Sequence, residues 1–513
     1  MKRILCFLLA ALFVFALPSC GKPGEKPDDG NKTPFVLFDE SGAQHYSLVR
    51  PDYCSDMLTE SFVSLRKGLE AYSGKEMEMA TDFIGRTDSL ENYASVPEIL
   101  VGLTNRAEST AVYDSLPDNG YEVRKIGNKL VVLGKDDTCT AIAVSKLLAA
   151  LKPGEDGNVY EEQLIMKGEY SVTDGPVNGV YYVSKIGGWF KSQGRTRLSE
   201  NGLSLLCSST SFEFTAECKG KVSVVITAGG NVGGGNWGVF FTVYVDGNRL
   251  EERLHVNEAG DTELVLADGL PEGTHTFSIV RQTEWDRGDI YVSEIRLDGA
   301  LRNPPENAEH YIEFIGDSLT TGFGNLSEVI AEGEWGGCPL FQDSTLSYCD
   351  LTAKNFGADY SVVAIQGIGV VCGPQTIVMG DVYRNYPRVN EKDYDCSDSR
   401  KADLVVINMG TNDWENKAGK GIRDDVILDA LMALGLQAKE MHPDAKIVYV
   451  TGMQPSYTKQ LEGVVHDLGG EDAGFYYCEL PQNLNGHDYH PDLSGHRAAA
   501  DKLTAFIKQH GIL

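Results

Sequence analysis

The chain has 513 residues with 45 Lys and Arg against 74 Asp and Glu, a formal net charge of −29 at pH 7. That length exceeds one ordinary domain and suggests about three, and a hydrophobic content of 42% with 19 Pro leaves room for sizeable cores. Such acidity excludes a nucleic acid partner, which needs basic stripes, and fits a soluble surface meeting a neutral or cationic substrate.

In chain order, Lys2-Arg3 lead an apolar run from Ile4 to Leu17, too short to span a bilayer comfortably, so residues 1–19 read as a secretory signal peptide. Cys20 directly after Leu17-Pro18-Ser19 resembles a bacterial lipobox, although Pro18 is unusual there. The resemblance implies lipidation of Cys20 and an anchor in the bacterial cell envelope, facing the periplasm or the outer-membrane surface. The alternative is an ordinary signal with a chance Cys. Residues 20–33, with their Pro, Gly and acidic residues, read as a flexible tether. No other stretch is apolar enough to cross a membrane. With Cys6 removed and Cys20 lipidated, nine of the 11 Cys remain, scattered without metal-ligand spacing. Neither a metal site nor a cofactor is expected. Cys207 and Cys218 could bridge neighbouring strands of an exported protein.

Residues 34–168 mix the two periodicities. Asp56 to Tyr72 carries Leu58, Phe62, Leu65 and Leu69 at helical spacing, and Ile99-Leu100-Val101-Gly102 reads as a short buried strand. Gly120-Tyr121-Glu122-Val123 and Lys129 to Leu133 read as a hairpin, followed by a helix from Thr138 to Leu151. This predicts a small α/β sandwich without a nucleophile–base pair. The string from Pro97 to Gly102, through Gly120-Tyr121 to that helix, resembles the non-catalytic domain that precedes the barrel in many glycoside hydrolases of families 20 and 67. It implies an accessory packing or spacer module.

From residue 178 to 300, short alternating runs such as Ser211 to Phe214, Val222 to Ile226 and Val243-Tyr244-Val245 are separated by turn signals, Asp246-Gly247-Asn248 among them. Spaced strands without helices argue for a β-sandwich. All five Trp lie at or beyond Trp189. Each is a core residue or a platform for a sugar ring, and Trp237, in Gly233-Gly234-Gly235-Asn236-Trp237, is expected on an exposed loop. Leu301 to Glu306 reads as a linker.

Across residues 307–513 strands and helices alternate: Tyr311 to Ile315, Tyr360 to Ile365, Ala402 to Met409 and Lys446 to Thr451 as strands, with helices at Thr345 to Phe356, Ile422 to Met441 and Pro491 to Gln509. That alternation predicts a doubly wound parallel sheet, whose ligands sit beyond the carboxyl ends of its strands. Ser318, Gly367 and Asn412 each follow a predicted strand, and His490 precedes the last helix. Ser318 is the candidate nucleophile and His490 its base. The backbone N–H groups of Ser318 and Gly367 and the Asn412 amide are candidate oxyanion donors. Asp317 and Asp413 are expected to cap turns or helices, His496 to pack in the core and His487 to sit on a surface turn, with a place lining the cleft as its alternative. Trp414, and Trp335 upstream, are candidates for substrate binding.

These four residues resemble the SGNH (GDSL) hydrolase superfamily, which implies a flavodoxin-like catalytic domain. Upstream, Gly194-Arg195, Asp246-Gly247, the string Leu270 to His275 and Arg281-Gln282-Thr283-Glu284 resemble the jelly-roll half of family 2 carbohydrate esterases. So does Leu346-Ser347-Tyr348 leading to Ala364 to Gly367. That resemblance implies an acetylxylan esterase-like enzyme that removes acetyl groups from xylan or related polysaccharide. The last block departs from the superfamily pattern: His487, not Asp, stands three residues before His490. Either Asp488 orients the imidazole, or no carboxylate does and a Ser–His dyad operates, with a backbone carbonyl or other group in its place. Alternatives are an esterase of the same fold acting on another acyl ester or glycan, and a surface glycan-binding protein without activity.

Overall fold

The computed structural model describes residues 32–154, 157–176, 179–327, 339–388 and 400–513. The predicted signal peptide, Cys20, nearly all of the tether and Trp335 lie outside these residues. Among the described residues no helix is long and apolar enough to cross a membrane.

The described residues build three sheets. The first combines β1 (Ser47–Arg50), β2 (Met79–Thr81), β3 (Glu98–Val101), β4 (Gly120–Ile126), β5 (Lys129–Gly134) and β6 (Met166–Glu169), with α1 (Asp56–Ser73), α2 (Ala107–Asp114), α3 (Asp137–Ala150) and the short α4 (Glu161–Leu164). Its strand order is β2-β1-β3-β5-β4-β6, parallel through β5 and antiparallel beyond it. Alternation sorts the side chains: Ile99, Val101, Leu130 and Val132 pack with α1 and α3, while Leu100, Val131 and Leu133 face α2. The sheet is therefore sandwiched between helices.

The second sheet holds β7 (Val180–Tyr182), β8 (Lys191–Gln193), β9 (Leu198–Ser199), β10 (Gly202–Ser204), β11 (Ser211–Ala228), β12 (Val239–Val245), β13 (Asn248–Arg249), β14 (Leu254–Val256), β15 (Gly260–Arg281) and β16 (Ile290–Arg302). All of its pairings are antiparallel. Ser211 to Phe214 and Val222 to Ile226, read as two strands from sequence, are parts of one long β11, with register shifts between Cys218 and Ser223 that let the strand bend. Cys207 and Cys218 are not bonded to each other. Cys218 faces the core of this sheet, whereas Cys207, on the loop before β11, belongs to the core of the third, so their thiols lie in different interiors.

The third sheet is wholly parallel: β17 (Tyr311–Gly316), β18 (Asp359–Ala364), β19 (Leu404–Asn408), β20 (Lys446–Thr451) and β21 (Phe475–Glu479), in the order β18-β17-β19-β20-β21. Its helices are α5 (Ser318–Thr321), α6 (Tyr348–Phe356), α7 (Met379–Val382), α8 (Thr411–Lys420), α9 (Asp424–Met441), α10 (Lys459–Asp467) and α11 (Leu493–Gln509). The buried stripe of α9, from Ile427 to Met441, packs on one face, and Ala499, Ala500, Leu503 and Ile507 of α11 pack on the other. The strand order turns back at β17, placing a crevice between β17 and β19.

Strands covered on both faces should be apolar throughout, yet Glu313 sits in the middle of β17. Arg195 of the second sheet reaches it with one guanidinium nitrogen 3.3 Å from each carboxylate oxygen. Tyr383, Ser361 and His442 donate to the same carboxylate at 2.6, 3.0 and 3.1 Å. Burial pushes the Glu313 pKa up, but the Arg195 charge and the bonds from His442 and Tyr383 outweigh it and hold the carboxyl below the usual range. Arg195 also donates to the carbonyls of Tyr383 and Tyr386, so one side chain fastens the second sheet to the third. Arg195→Ala should lower stability in chemical denaturation by about 3–5 kcal/mol, since it strands a buried charge. Because the folded pKa is depressed, the pair stabilises at neutral pH and loses that effect as pH falls through the folded value. The deficit of the variant should therefore shrink in acid.

Candidate active site

β17 ends at Gly316, where an added Cβ would lie 1.9 Å from Thr320 Oγ1, so the tight turn into α5 requires glycine. Asp317 caps that turn, its Oδ1 accepting the Leu319 N–H at 3.0 Å, and Ser318 is the first helical residue. His490 arrives from the opposite side, on the loop before α11. Its Nε2 lies 2.9 Å from Ser318 Oγ, and its Nδ1 lies 2.9 Å from the backbone carbonyl of Asp488. A carbonyl only accepts, so the proton sits on Nδ1 and the Nε2 lone pair faces the serine hydroxyl. The Asp488 contact is thus made by main chain rather than by its carboxylate.

That geometry needs an unusual backbone. Asp488 and Tyr489 both adopt the left-handed region, with φ of 50° and 57°, at a cost on the order of 1 kcal/mol each. Neighbouring bonds hold them there: Gln454 Nε2 donates to the Tyr489 carbonyl at 2.8 Å, and His490 N–H donates to the His487 carbonyl at 3.1 Å. His487 is not on a surface turn as expected. It is buried, with its ring 4.7 Å from that of Phe341 and 6.1 Å from that of Phe323, which also packs edge-on against His490. His496 is fully buried and accepts the Tyr348 N–H at 3.2 Å. Burial lowers the His490 pKa from its ordinary 6.5, against the raising effects of the Asp488 carbonyl and charge.

Gly367 follows β18 with a φ of 74°, and an added Cβ would come within 3.2 Å of Pro374. Neither its N–H nor that of Ser318 has a partner among the described residues, leaving both available to an oxyanion. Asn412 opens α8. Its Nδ2 donates to the Ile368 carbonyl at 2.9 Å and to Asp317 Oδ2 at 3.1 Å, so its amide must share one of these hydrogens to serve an oxyanion. Asp413, beside it, accepts the N–H groups of Val370, Val371 and Cys372 at 2.9, 2.8 and 2.8 Å and shapes the loop after Gly367. Burial, with Asp413 and Glu415 nearby, pushes the Asp317 carboxyl up to about 7 despite the Leu319 and Asn412 bonds. Trp414 is 36% exposed and lines an open groove of about 630 Å³ with Gln454, Pro455, Glu479 and Lys502. Lys417 Nζ lies 3.9 Å over the Trp414 ring. Sequence reasoning missed the parts played by Gln454 and Asp413 because each acts on backbone supplied by a distant segment.

Residues 314–498 match the GDSL-like lipase/acylhydrolase family, and residues 192–305 match the N-terminal domain of carbohydrate esterase 2. This part of the chain is homologous to family 2 carbohydrate esterases. The cellulase/esterase CelE of Acetivibrio thermocellus is 30% identical over 305 residues, 56% of this chain and 35% of that protein. An acetylxylan esterase/glucomannan deacetylase of Cellvibrio japonicus is 37% identical over 217 residues, 39% of this chain and 59% of that protein. The chain therefore spans 35% of the first curated relative's length and 59% of the second's. A family two carbohydrate esterase from Clostridium thermocellum, solved in complex with cellohexaose, aligns with a TM-score of 0.56 at 28% identity, covering 65% of this chain and 100% of that one. The acetyl xylan esterase Est2A of Butyrivibrio proteoclasticus shares the fold, with a TM-score of 0.57 at 20% identity over 65% of this chain and 99% of that one. Residues 34–168 lie outside both family matches.

Because this centre holds its histidine through main chain, Asp488→Ala should slow the reaction of Ser318 with a fluorophosphonate by well under tenfold. The same reaction in the wild type should fall in acid with a midpoint below 6.5, the value of a free imidazole, since burial disfavours protonated His490.

Proposed function

We propose that the protein is a serine esterase that removes O-acetyl groups from plant polysaccharide such as xylan, or from its oligosaccharides. The observation that carries this reading is the 2.9 Å contact of Ser318 Oγ with an imidazole whose other nitrogen is already committed to the Asp488 carbonyl. His490 Nε2 takes the Ser318 proton as Oγ attacks the acetyl carbonyl, and the unpartnered Ser318 and Gly367 N–H groups receive the oxyanion with a share of the Asn412 amide. The protonated imidazole then gives its proton to the departing sugar hydroxyl. Water, activated by the same imidazole, releases acetate from the acyl-enzyme.

The groove beside Trp414 supports a glycan chain as leaving group, because an exposed indole face suits the apolar C–H surface of a sugar ring. The homologous esterase solved with cellohexaose supports the same class of ligand. The antiparallel unit at 178–300 is read as a jelly-roll sandwich, residues 307–513 as the catalytic domain and residues 34–168 as a non-catalytic spacer. The Lys2-Arg3 lead, the apolar run and Cys20 support export and a lipid anchor in the bacterial cell envelope.

Purified protein should release acetate from acetylated xylan, and Ser318→Ala should lower that rate about a thousandfold or more. Undiminished turnover by that variant would refute the mechanism. Trp414→Ala should raise KM for acetylated xylo-oligosaccharides about fivefold, the effect of losing one aromatic contact, while kcat on a small aryl acetate stays unchanged.

A further inference from the structure

Between β15 and β16, Glu284 leaves the second sheet and enters the base of the active site, where it is 1% exposed. Its Oε2 accepts the N–H of Gln366 at 2.8 Å, and its Oε1 accepts the hydroxyl of Thr321 at 3.0 Å. Thr321 lies on the single-turn α5 that begins at Ser318, with its Oγ1 also 3.1 Å from the Ser318 carbonyl. Gln366 immediately precedes Gly367. One carboxylate from the second sheet therefore ties together the two turns of the third whose free N–H groups face the reacting carbonyl.

We propose that Glu284 is a positioning residue of the esterase centre, fixing the separation between the Ser318 and Gly367 N–H groups, so that the oxyanion hole is assembled from both domains. This rests on the esterase reading above. Oxyanion donors act only when aimed beforehand, and a misplacement of about 1 Å can cost on the order of a hundredfold in rate.

The loop that carries Glu284 is itself held rigidly. Arg281 is fully buried and donates to the carbonyls of Thr283, Leu205 and Gly288 at 3.0, 2.8 and 2.9 Å, and to that of Glu284. Burial lowers its pKa to about 10, which still leaves it charged at neutral pH. All four bonds go to main chain, so this cation shapes the segment rather than pairing with the carboxylate. Burial, with Asp286 nearby, pushes the Glu284 carboxyl up to about 7 against Arg287 and its two hydrogen bonds. Such a group is a poor way to fasten two domains. The fastening is done elsewhere, by Arg195 on Glu313, by Arg249 on Asp343 and by Arg253 on the carbonyls of Pro339, Leu340 and Gln342. What Glu284 contributes is a direct tie between the Ser318 turn and the residue before Gly367, made from the second sheet, whereas Asn412 bridges the same two turns from within the third.

The test uses the full chain and compares Glu284→Ala, Glu284→Gln and Thr321→Val by kcat and KM on p-nitrophenyl acetate, fluorophosphonate labelling of Ser318 and Tm. Glu284→Ala should lower kcat and the labelling rate about 10- to 100-fold with KM within threefold. Glu284→Gln should recover to within about fivefold of wild type, because its amide oxygen can accept from Gln366 and its NH₂ can donate to Thr321, whose hydrogen turns to the Ser318 carbonyl. Thr321→Val leaves the carboxylate in place and should lower kcat about three- to tenfold at unchanged KM, which keeps the test open should Glu284→Ala not fold. Wild-type kcat in folded Glu284→Ala overturns the proposal. So does a loss in all three variants that merely tracks Tm. If the wild type hydrolyses no acetyl ester while labelling still follows the expected order, the acetyl-ester reading falls and the positioning role stands.

Discussion

The hydrogen bond from His490 Nδ1 to the Asp488 carbonyl is the contact on which the rest of the site depends. It fixes the tautomer, and the tautomer decides whether the nitrogen facing Ser318 can take a proton. Since the acceptor is a peptide group, its position is set by backbone dihedrals alone. Two successive left-handed residues supply those dihedrals, and Gln454, from the loop after β20, braces the second. The strain is local, and the bonds around it belong to segments far apart in sequence.

A parallel sheet brings such segments to one edge. Ser318, Gly367 and Asn412 follow β17, β18 and β19, the three strands around the point where the order reverses. Neighbouring carboxylates then turn that coarse placement into a site. Asp317 caps the nucleophile turn and touches Asn412, while Asp413 gathers three consecutive N–H groups of the loop after Gly367. Asp317 Oδ1 and both Asp413 oxygens accept main-chain N–H groups, so these acids organise the backbone around the site.

Much of the parallel-sheet unit was legible in the sequence because its central strands are continuous apolar runs ended by small or polar residues, as in Tyr311 to Gly316. β21 was not legible, since Phe475-Tyr476-Tyr477-Cys478-Glu479 is a five-residue edge strand, paired only with β20, that lacks the aliphatic run of the central strands. The proposed nucleophile and base, Ser318 and His490, could be named from their positions relative to strands, whereas the orienting group could not, because a carbonyl leaves no mark in residue identity. His487 was misplaced for a related reason: a polar residue in a turn with Asn485, Gly486 and Asp488 looks exposed until the rings of Phe323 and Phe341 are seen around it. Arg195 and Glu284 were visible only as parts of strings that resemble family 2 carbohydrate esterases, with no local pattern to reveal that each reaches across to another sheet.

The polar seam between the second and third sheets also bears on inheritance. Arg195, Arg249, Arg253 and Glu284 all end on the parallel sheet's strands or loops, so that sheet is supported from outside its own chain segment. By contrast, the first sheet meets its neighbour through a few contacts such as Thr138 with Ser184 and Lys185 with Asp136 and Asn119. The smallest piece that could be transplanted between genes with its chemistry intact is therefore the pair, not the α/β half. The 305-residue match to CelE, which fills only 35% of that larger protein, has the dimensions of such a transferable cassette.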